Sequence, residues 1–214
     1  MEEKISKQEN YKNLANTIIK NLEKRQIEAY YCEDKACALE KALELIPRGS
    51  TIGWGGSVTL TEIGLIDAVK NGDYTIIDRD KATNLEEQKA VYSKICSSDF
   101  FLMSTNAITL NGELINIDGR GNRVAFLCYG PQNVLIVAGM NKVVSSIESG
   151  FERASNISAP PNAIRLNRKT PCAITGKCEN CYSPDCMCSQ FVVTRRSGIP
   201  NRIKVILVGE ELGY

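Results

Sequence analysis

Blocks of apolar and polar residues follow one another along the chain in a pattern that predicts alternating helices and strands. Residues 4–25 carry apolar side chains at helical spacing with charges between them, which predicts an amphipathic helix. Similar reasoning predicts helices over 34–46, 59–70, 85–97 and 142–154. Apolar runs, many of them rich in branched and aromatic residues, predict strands over 27–32, 51–54, 74–78, 100–104, 134–138, 191–194 and 204–208. Segments 108–110 and 114–117 flank Asn111-Gly112, which is typical of a two-residue hairpin turn.

This succession predicts an α/β fold with a mainly parallel sheet flanked by helices. The composition changes at Ala159-Pro-Pro-Asn, ahead of a basic and cysteine-rich stretch. We therefore predict an α/β core over 1–158. We assign 159–214 to a cysteine-rich metal or cluster segment with closing strands, an appendage that belongs to the same domain.

Composition narrows the possible partners and chemistry. The 214 residues carry a formal charge of +1, which gives no overall attraction to nucleic acid. No apolar run approaches the ~20 residues that a membrane-spanning helix needs. Nothing at the start of the chain resembles a secretory signal, so we expect a cytoplasmic protein with reduced thiols. The chain has no histidine, which excludes Ser–His and Cys–His catalysis.

The cysteines give the strongest chemical signal. Five of the nine lie within 17 residues, at Cys172, Cys178, Cys181, Cys186 and Cys188. Thiolates at this density, without histidine, favour an all-sulfur metal site over disulfides in a reducing compartment. Only Cys178 and Cys181 form a Cys-x-x-Cys pair, and this spacing suits a 4Fe–4S cluster at least as well as zinc. Cys186 and Cys188 are two residues apart, so the spacing does not choose between them.

A second candidate site follows the strand at 51–54. Gly55 and Gly56 allow a sharp turn into a helix that Ser57 or Thr59 would cap, and such a turn with free amides binds anions. An ordinary capped turn explains this loop equally well. Because the carboxyl ends of parallel strands share one crevice, residues from other turns join it. The candidates for ligand binding are Gly55, Gly56, Ser57, Thr59, Asn106, Asn122 and Arg123, and those for catalysis are Glu62 and Lys142.

Four stretches resemble the lactate-utilisation proteins with a LUD domain. They are IGWGGSVTLTEIGL (52–65), NAITLNGELINIDGRGNRVAFLCYGP (106–131), VAGMNKVV (137–144) and NAIRLNRKTPCAITGKCENCYSPDCMC (162–188). The last is the most specific. The resemblance implies a fold similar to ribose-phosphate isomerases, glucosamine-phosphate deaminases and CoA-transferases, with a crevice for anionic ligands.

The resemblance also implies the ligand set Cys172, Cys178, Cys181 and Cys188. Relatives usually carry arginine at the position of Cys186, so this chain departs from the family pattern there, and Cys186 is an alternative fourth ligand. It favours a 4Fe–4S cluster, with zinc as the alternative, and iron–sulfur partner subunits that oxidise lactate to pyruvate. The implied function is an electron-transfer or accessory component that also binds a small anionic metabolite, rather than an independent catalyst.

Two other functions stay open on the residues alone. One is a stand-alone enzyme of CoA-transferase or sugar-phosphate type, with Glu62 as nucleophile or base. The other is a regulatory module whose cysteines sense metal or redox state while the crevice binds a metabolite.

Overall fold

A computed structural model describes the backbone of residues 2–214 and the side chains from Ile5 onward. Its strands, in chain order, are β1 (Glu28–Cys32), β2 (Thr51–Trp54), β3 (Thr75–Ile76), β4 (Phe100–Met103), β5 (Ala107–Thr109), β6 (Leu114–Asp118), β7 (Asn133–Gly139), β8 (Val143–Val144), β9 (Gln190–Thr194) and β10 (Ile203–Val208). Its α-helices are α1 (Glu2–Lys24), α2 (Lys35–Leu45), α3 (Val58–Glu62), α4 (Leu65–Asn71), α5 (Leu85–Cys96), α6 (Asn122–Cys128), α7 (Ile147–Arg153), α8 (Ala159–Arg165) and α9 (Pro171–Thr175).

The larger sheet is parallel throughout, in the order β1-β10-β7-β4-β2-β3. Its central strands are buried on both faces, which explains their continuous apolar sequences. In β7, Val134 and Ile136 pack into one core with α1, α5 and α6, while Leu135 and Val137 pack into a second core with α2, α3 and α4. The predicted class, a mainly parallel sheet flanked by helices, is confirmed.

A second, mixed sheet has the order β8-β5-β6-β9. The hairpin predicted around Asn111-Gly112 forms its antiparallel β5–β6 pair. The turn is longer than the predicted two residues, because Thr109 pairs with Glu113 and leaves three residues in the loop. Gly112 has φ of 88°, as the last position of such a loop requires.

Two predicted helices are wrong in their extent. The stretch predicted as a helix over 142–154 instead contains the end of a 3₁₀ turn (Met140–Lys142) followed by β8. Helix α7 starts only after Ser146, whose side chain accepts a hydrogen bond from Ser149 N. The β-branched pair Val143-Val144 joins β5 instead of extending a helix. The helix predicted over 59–70 is divided into α3 and α4 at Gly64, where φ is 74°.

Two helical parts of the structure lack a clear signal in the sequence. Helix α6 follows Gly121, which has φ of 77° and gives no side-chain cap, so the usual start signal is missing. A π-helical turn (Ala154–Ser158) leads directly into α8, although Pro160 and Pro161 indicate a break in composition. Across the described residues, none of the helices combines the length and apolar character required to cross a membrane.

Candidate functional site

A cleft of about 650 Å³ lies where β2, β4 and β7 end. These strands are neighbours in the larger sheet, so their carboxyl ends meet at one edge. The cleft wall brings together seven of the nine crevice residues predicted from the sequence: Gly56, Ser57, Thr59, Asn106, Asn122, Arg123 and Lys142. Gly55 is buried behind the loop, and Glu62 lies beside the wall rather than in it.

Lys142 is the most unusual side chain of this wall. The turn that follows β7 carries it inward, and only 4% of the residue is exposed. Its Nζ donates hydrogen bonds to Thr59 Oγ1 at 2.9 Å and Ser104 Oγ at 3.0 Å. Burial lowers the pKa of Lys142 to about 7, assisted by the positive charges of Arg153 and Arg123 and opposed by Glu62. The amine is therefore substantially neutral near pH 7.

The glycine loop leads into α3, which Ser57 caps. The Ser57 side chain accepts a hydrogen bond from Leu60 N at 3.3 Å, so Thr59 is free to bind Lys142. Thr59, the alternative cap, does not cap the helix, and Glu62 Oε2 accepts a hydrogen bond from Gly213 N at 2.7 Å.

An arginine that the sequence did not indicate lies against the glycine loop. A Cβ at Gly56 would lie 2.9 Å from Arg79 Nη2. Glycine at this position therefore lets Arg79 lie directly over the loop.

Arg123 is held entirely by protein acceptors. Nε donates to Asp118 Oδ1 at 2.9 Å, and Nη1 donates to Ser104 O at 3.0 Å and Asn116 Oδ1 at 2.5 Å. Nη2 donates to Asn106 Oδ1 at 2.9 Å and Ile117 O at 3.1 Å. All five guanidinium N–H donors are thus engaged. Arg123 contributes its charge to the cleft, while a direct bond to a ligand would require one of these bonds to break.

The two predicted asparagines differ in what they offer. Asn106 Oδ1 accepts from Ile117 N and from Arg123, and its amide nitrogen makes no hydrogen bond to any described residue. Asn122 donates to Tyr92 Oη at 3.3 Å. Asn106 is therefore a donor available to an anion, whereas Asn122 fixes the start of α6 against α5.

Cations outnumber carboxylates around the cleft, whose basic residues are Arg79, Arg120, Arg123, Lys142, Arg165 and Arg168. The acidic side chains in the wall are Asp118 and Asp185. Asp118 is bonded to Arg123 and to Val124 N, and Asp185 accepts from Lys169 N and lies 3.9 Å from Arg168. Neither Arg120 nor Arg165 lies within ion-pair distance of a described carboxylate. The cleft is suited to a small anion.

The cysteine-rich segment forms another part of the same wall, through Cys186 and Cys188. It is tied to the core where Ser189 N donates to Asp118 O at 2.9 Å and Cys178 N donates to Asn156 Oδ1 at 3.0 Å. The first bond adjoins the loop that precedes α6. The second reaches the π-helical turn. The predicted crevice and the predicted cysteine site are therefore adjacent, a relation that the linear sequence does not contain.

Cys188 has a strongly perturbed thiol. Its pKa is raised to about 12, mainly by burial and also by the charges of Cys186, Cys178, Cys172 and Cys181. Cys178 Sγ accepts from Asn180 N at 3.4 Å, and Cys186 Sγ accepts from Cys188 N at 3.5 Å. Amide bonds of this kind stabilise thiolate sulfur in metal sites.

The residue types suit a sulfur-ligated centre. Among the side chains described, from Ile5 to Tyr214, the structure does not bring three ligating groups to one point. Closely spaced thiolates repel one another without a cation, and a metal that binds sulfur as S⁻ removes that repulsion. Cys186 has the same amide bond as Cys178, so the choice between Cys186 and Cys188 as fourth ligand stays open.

Fold and site define an α/β protein with a cationic cleft bordered by a cysteine-rich segment. Residues 15–208 match the LUD domain family, and the chain belongs to that family. It is similar over 92% of its length to a solved DUF162 family protein from Deinococcus radiodurans, covering 98% of that chain, with a TM-score of 0.56 and 12% identity. That likeness shows a shared fold.

Ribose 5-phosphate isomerase A from Neisseria gonorrhoeae is also similar, over 52% of this chain and 53% of that one, with 18% identity. Its TM-score is 0.35, and a likeness at that level does not show a shared fold. No curated protein matches the chain significantly.

Proposed function

We propose that this LUD-domain protein is an accessory, electron-transfer component of a lactate-oxidising iron–sulfur system, and that its cleft binds a small carboxylate such as lactate or pyruvate. The observation that carries the proposal is the shared wall: the cationic residues of the cleft and Cys186 and Cys188 border one cavity. A metabolite bound there lies next to the cysteine segment.

The available donors support a carboxylate ligand. Arg120 and Arg165 lack carboxylate partners among the described side chains, and the Asn106 amide nitrogen is unbonded. Arginine binds planar carboxylates through paired N–H donors, and an amide adds a directional third. Asp118 is neutralised by Arg123, so it does not oppose an incoming anion.

Cys172, Cys178, Cys181 and Cys188 would hold a 4Fe–4S cluster, with Cys186 as the alternative fourth ligand and zinc as the alternative metal. Such a cluster supplies one-electron transfer when it is bound. The chain itself positions the segment through Asn156 and Asp118 and surrounds it with the exposed cations Arg165 and Arg168. Those cations would favour an acidic surface on an iron–sulfur partner subunit. The proposal includes a cytoplasmic location, where thiols stay reduced and available to a metal.

Two measurements test the proposal. Anaerobic purification followed by iron, sulfide and zinc analysis should give iron and sulfide in the ratio of a cluster. Calorimetric titration should show binding of lactate or pyruvate that Arg120→Ala weakens. Arg48→Ala is the matched control, because Arg48 is exposed in the loop before β2, at the opposite end of that strand. Absence of metal together with absence of carboxylate binding would remove the proposal.

A stand-alone enzyme is the second candidate, and the buried amine of Lys142 favours it specifically. A lysine with a pKa of about 7 is poised to accept a proton at neutral pH. Turnover by the isolated chain that persists after the metal is removed would establish this alternative over the accessory role.

A further inference from the structure

The hydrogen bonds around Lys142 are arranged for a neutral amine. Its two acceptors, Thr59 Oγ1 and Ser104 Oγ, direct their own hydroxyl protons elsewhere, to Leu212 O at 3.4 Å and Thr105 O at 3.4 Å. Both oxygens therefore receive a proton from Nζ. A neutral amine has two N–H bonds, which these acceptors satisfy, and one remaining lone pair.

An ammonium ion at the same position would be poorly accommodated. Its third N–H finds no acceptor among the described residues, and none of their carboxylates lies within ion-pair distance of Nζ. The charged groups around it are Arg123 from α6, Arg153 from α7 and Glu62 from α3, so cations predominate. Arg153 is itself buried, with Nη1 bonded to Asn106 O at 2.7 Å and Ser158 Oγ at 3.0 Å.

We propose that Lys142 is a nucleophile that forms an imine with a 2-oxo acid bound in the cleft. The inference rests on the proposed function, because its ligand is the 2-oxo acid that the oxidation of lactate produces. It adds a chemical role for the amine of Lys142. The cationic wall selects the carboxylate, and the ketone carbon of a 2-oxo acid is the electrophile that a neutral amine attacks.

The step balances without an oxidant or a reductant. The Nζ lone pair forms a bond to the carbonyl carbon, and the carbonyl π pair moves onto oxygen. The two protons originally on the amine pass to that oxygen, which leaves as water while the C=N bond forms. In the free protein these two N–H groups donate to Thr59 Oγ1 and Ser104 Oγ, so both hydroxyl oxygens lie beside the nitrogen that releases the protons.

The test is reductive trapping. Protein incubated with pyruvate and sodium cyanoborohydride should gain one reduced pyruvate adduct, located by peptide mapping on Lys142. Lys142→Arg should lose the adduct, and Lys89→Arg, which changes an exposed lysine on α5, should retain it. Lactate, which has no carbonyl carbon, should give no adduct. The rate of trapping should rise as pH increases through about 7.

The outcomes separate this inference from the proposed function. Pyruvate binding by calorimetry without an adduct on Lys142 overturns the nucleophile and leaves the carboxylate cleft standing. An adduct spread over surface lysines, unchanged in Lys142→Arg, overturns it as well. If Lys142→Arg fails to fold, Thr59→Val replaces it and should slow trapping, because it removes one of the two proton acceptors. Unchanged trapping in a folded Thr59→Val protein counts against the proton path.

Discussion

At the scale of single residues, the cleft contains two basic side chains with different roles. Arg123 uses every N–H donor on the protein and so fixes β6, α6 and the end of β4 in place. Lys142 has two hydroxyl partners and no carboxylate, and burial with nearby arginines makes its proton easy to lose. A charged guanidinium thus stabilises the structure at one position, and an amine that easily loses its proton is suited to reactivity at the other.

The lowered pKa of Lys142 predicts a pH dependence of stability. Between the folded value of about 7 and the ordinary value of 10.5, the unfolded chain binds more protons at this residue, so its contribution to stability increases as pH rises. Wild type should gain about 2 kcal/mol relative to Lys142→Met between pH 7 and pH 9, since one pKa unit corresponds to about 1.4 kcal/mol. Urea unfolding of both proteins at the two pH values measures this. A constant difference would mean that the lysine remains charged when folded.

At the scale of elements, α6 is held at its far end by one buried side chain. Arg202, just before β10, donates to Leu127 O at 2.7 Å, Phe126 O at 2.9 Å and Pro131 O at 2.9 Å. These carbonyls are the ones that a helix end and its following turn leave unpaired. The arginine thereby connects the start of β10 to the helix that carries Arg123 into the cleft.

We expect Arg202→Met to lower the free energy of unfolding by about 3 kcal/mol, because hydrogen bonds to a charged donor are lost and buried carbonyls are left without partners. Chemical unfolding of the variant beside wild type measures the loss. Arg195→Met is the control, since Arg195 is exposed and its side chain makes no hydrogen bond or ion pair to a described residue. Equal stability of the two variants would show that water replaces the arginine.

At the scale of the whole molecule, the fold places the cysteine segment against the cleft through two hydrogen bonds from distant parts of the chain. Cys186 and Cys188 both line the cleft, and Cys186 Sγ accepts a hydrogen bond from Cys188 N at 3.5 Å, so their positions do not distinguish them as ligands. Serine substitution of Cys186 and Cys188 is therefore the way to identify the fourth ligand.

We expect Cys172→Ser, Cys178→Ser, Cys181→Ser and Cys188→Ser each to empty the centre, and Cys186→Ser to retain it. Anaerobic metal analysis of each purified variant provides the measurement, and Cys37→Ser, an exposed cysteine outside the segment, is the control. A full site in Cys188→Ser together with an empty one in Cys186→Ser would exchange the two residues. Retention of metal in every variant would reject a cysteine-ligated centre.

Much of the fold could be predicted because its strongest signals are local. Strand β2 was predicted at its observed bounds, and α1, α5, β4, β7 and β10 to within two residues, since buried strands and amphipathic helices have distinctive patterns. The errors occurred where short-range signals compete with distant contacts. Val143 and Val144 lie in a helix-like stretch, yet pairing with β5 makes them a strand.

The sequence by itself determined the α/β class, the family, the density of thiols without histidine and most of the residues that line the cleft. Those properties depend on residue type and local order. Only the tertiary structure decided that Arg79 lies against the glycine loop and that every N–H donor of Arg123 bonds a protein acceptor. It also decided that the pKa of Lys142 is lowered to about 7 and that Cys186 and Cys188 border the cleft. Hydrogen-bond partners, burial and electrostatic neighbours come from residues tens of positions apart, and they are set only when the sheet brings strand ends together.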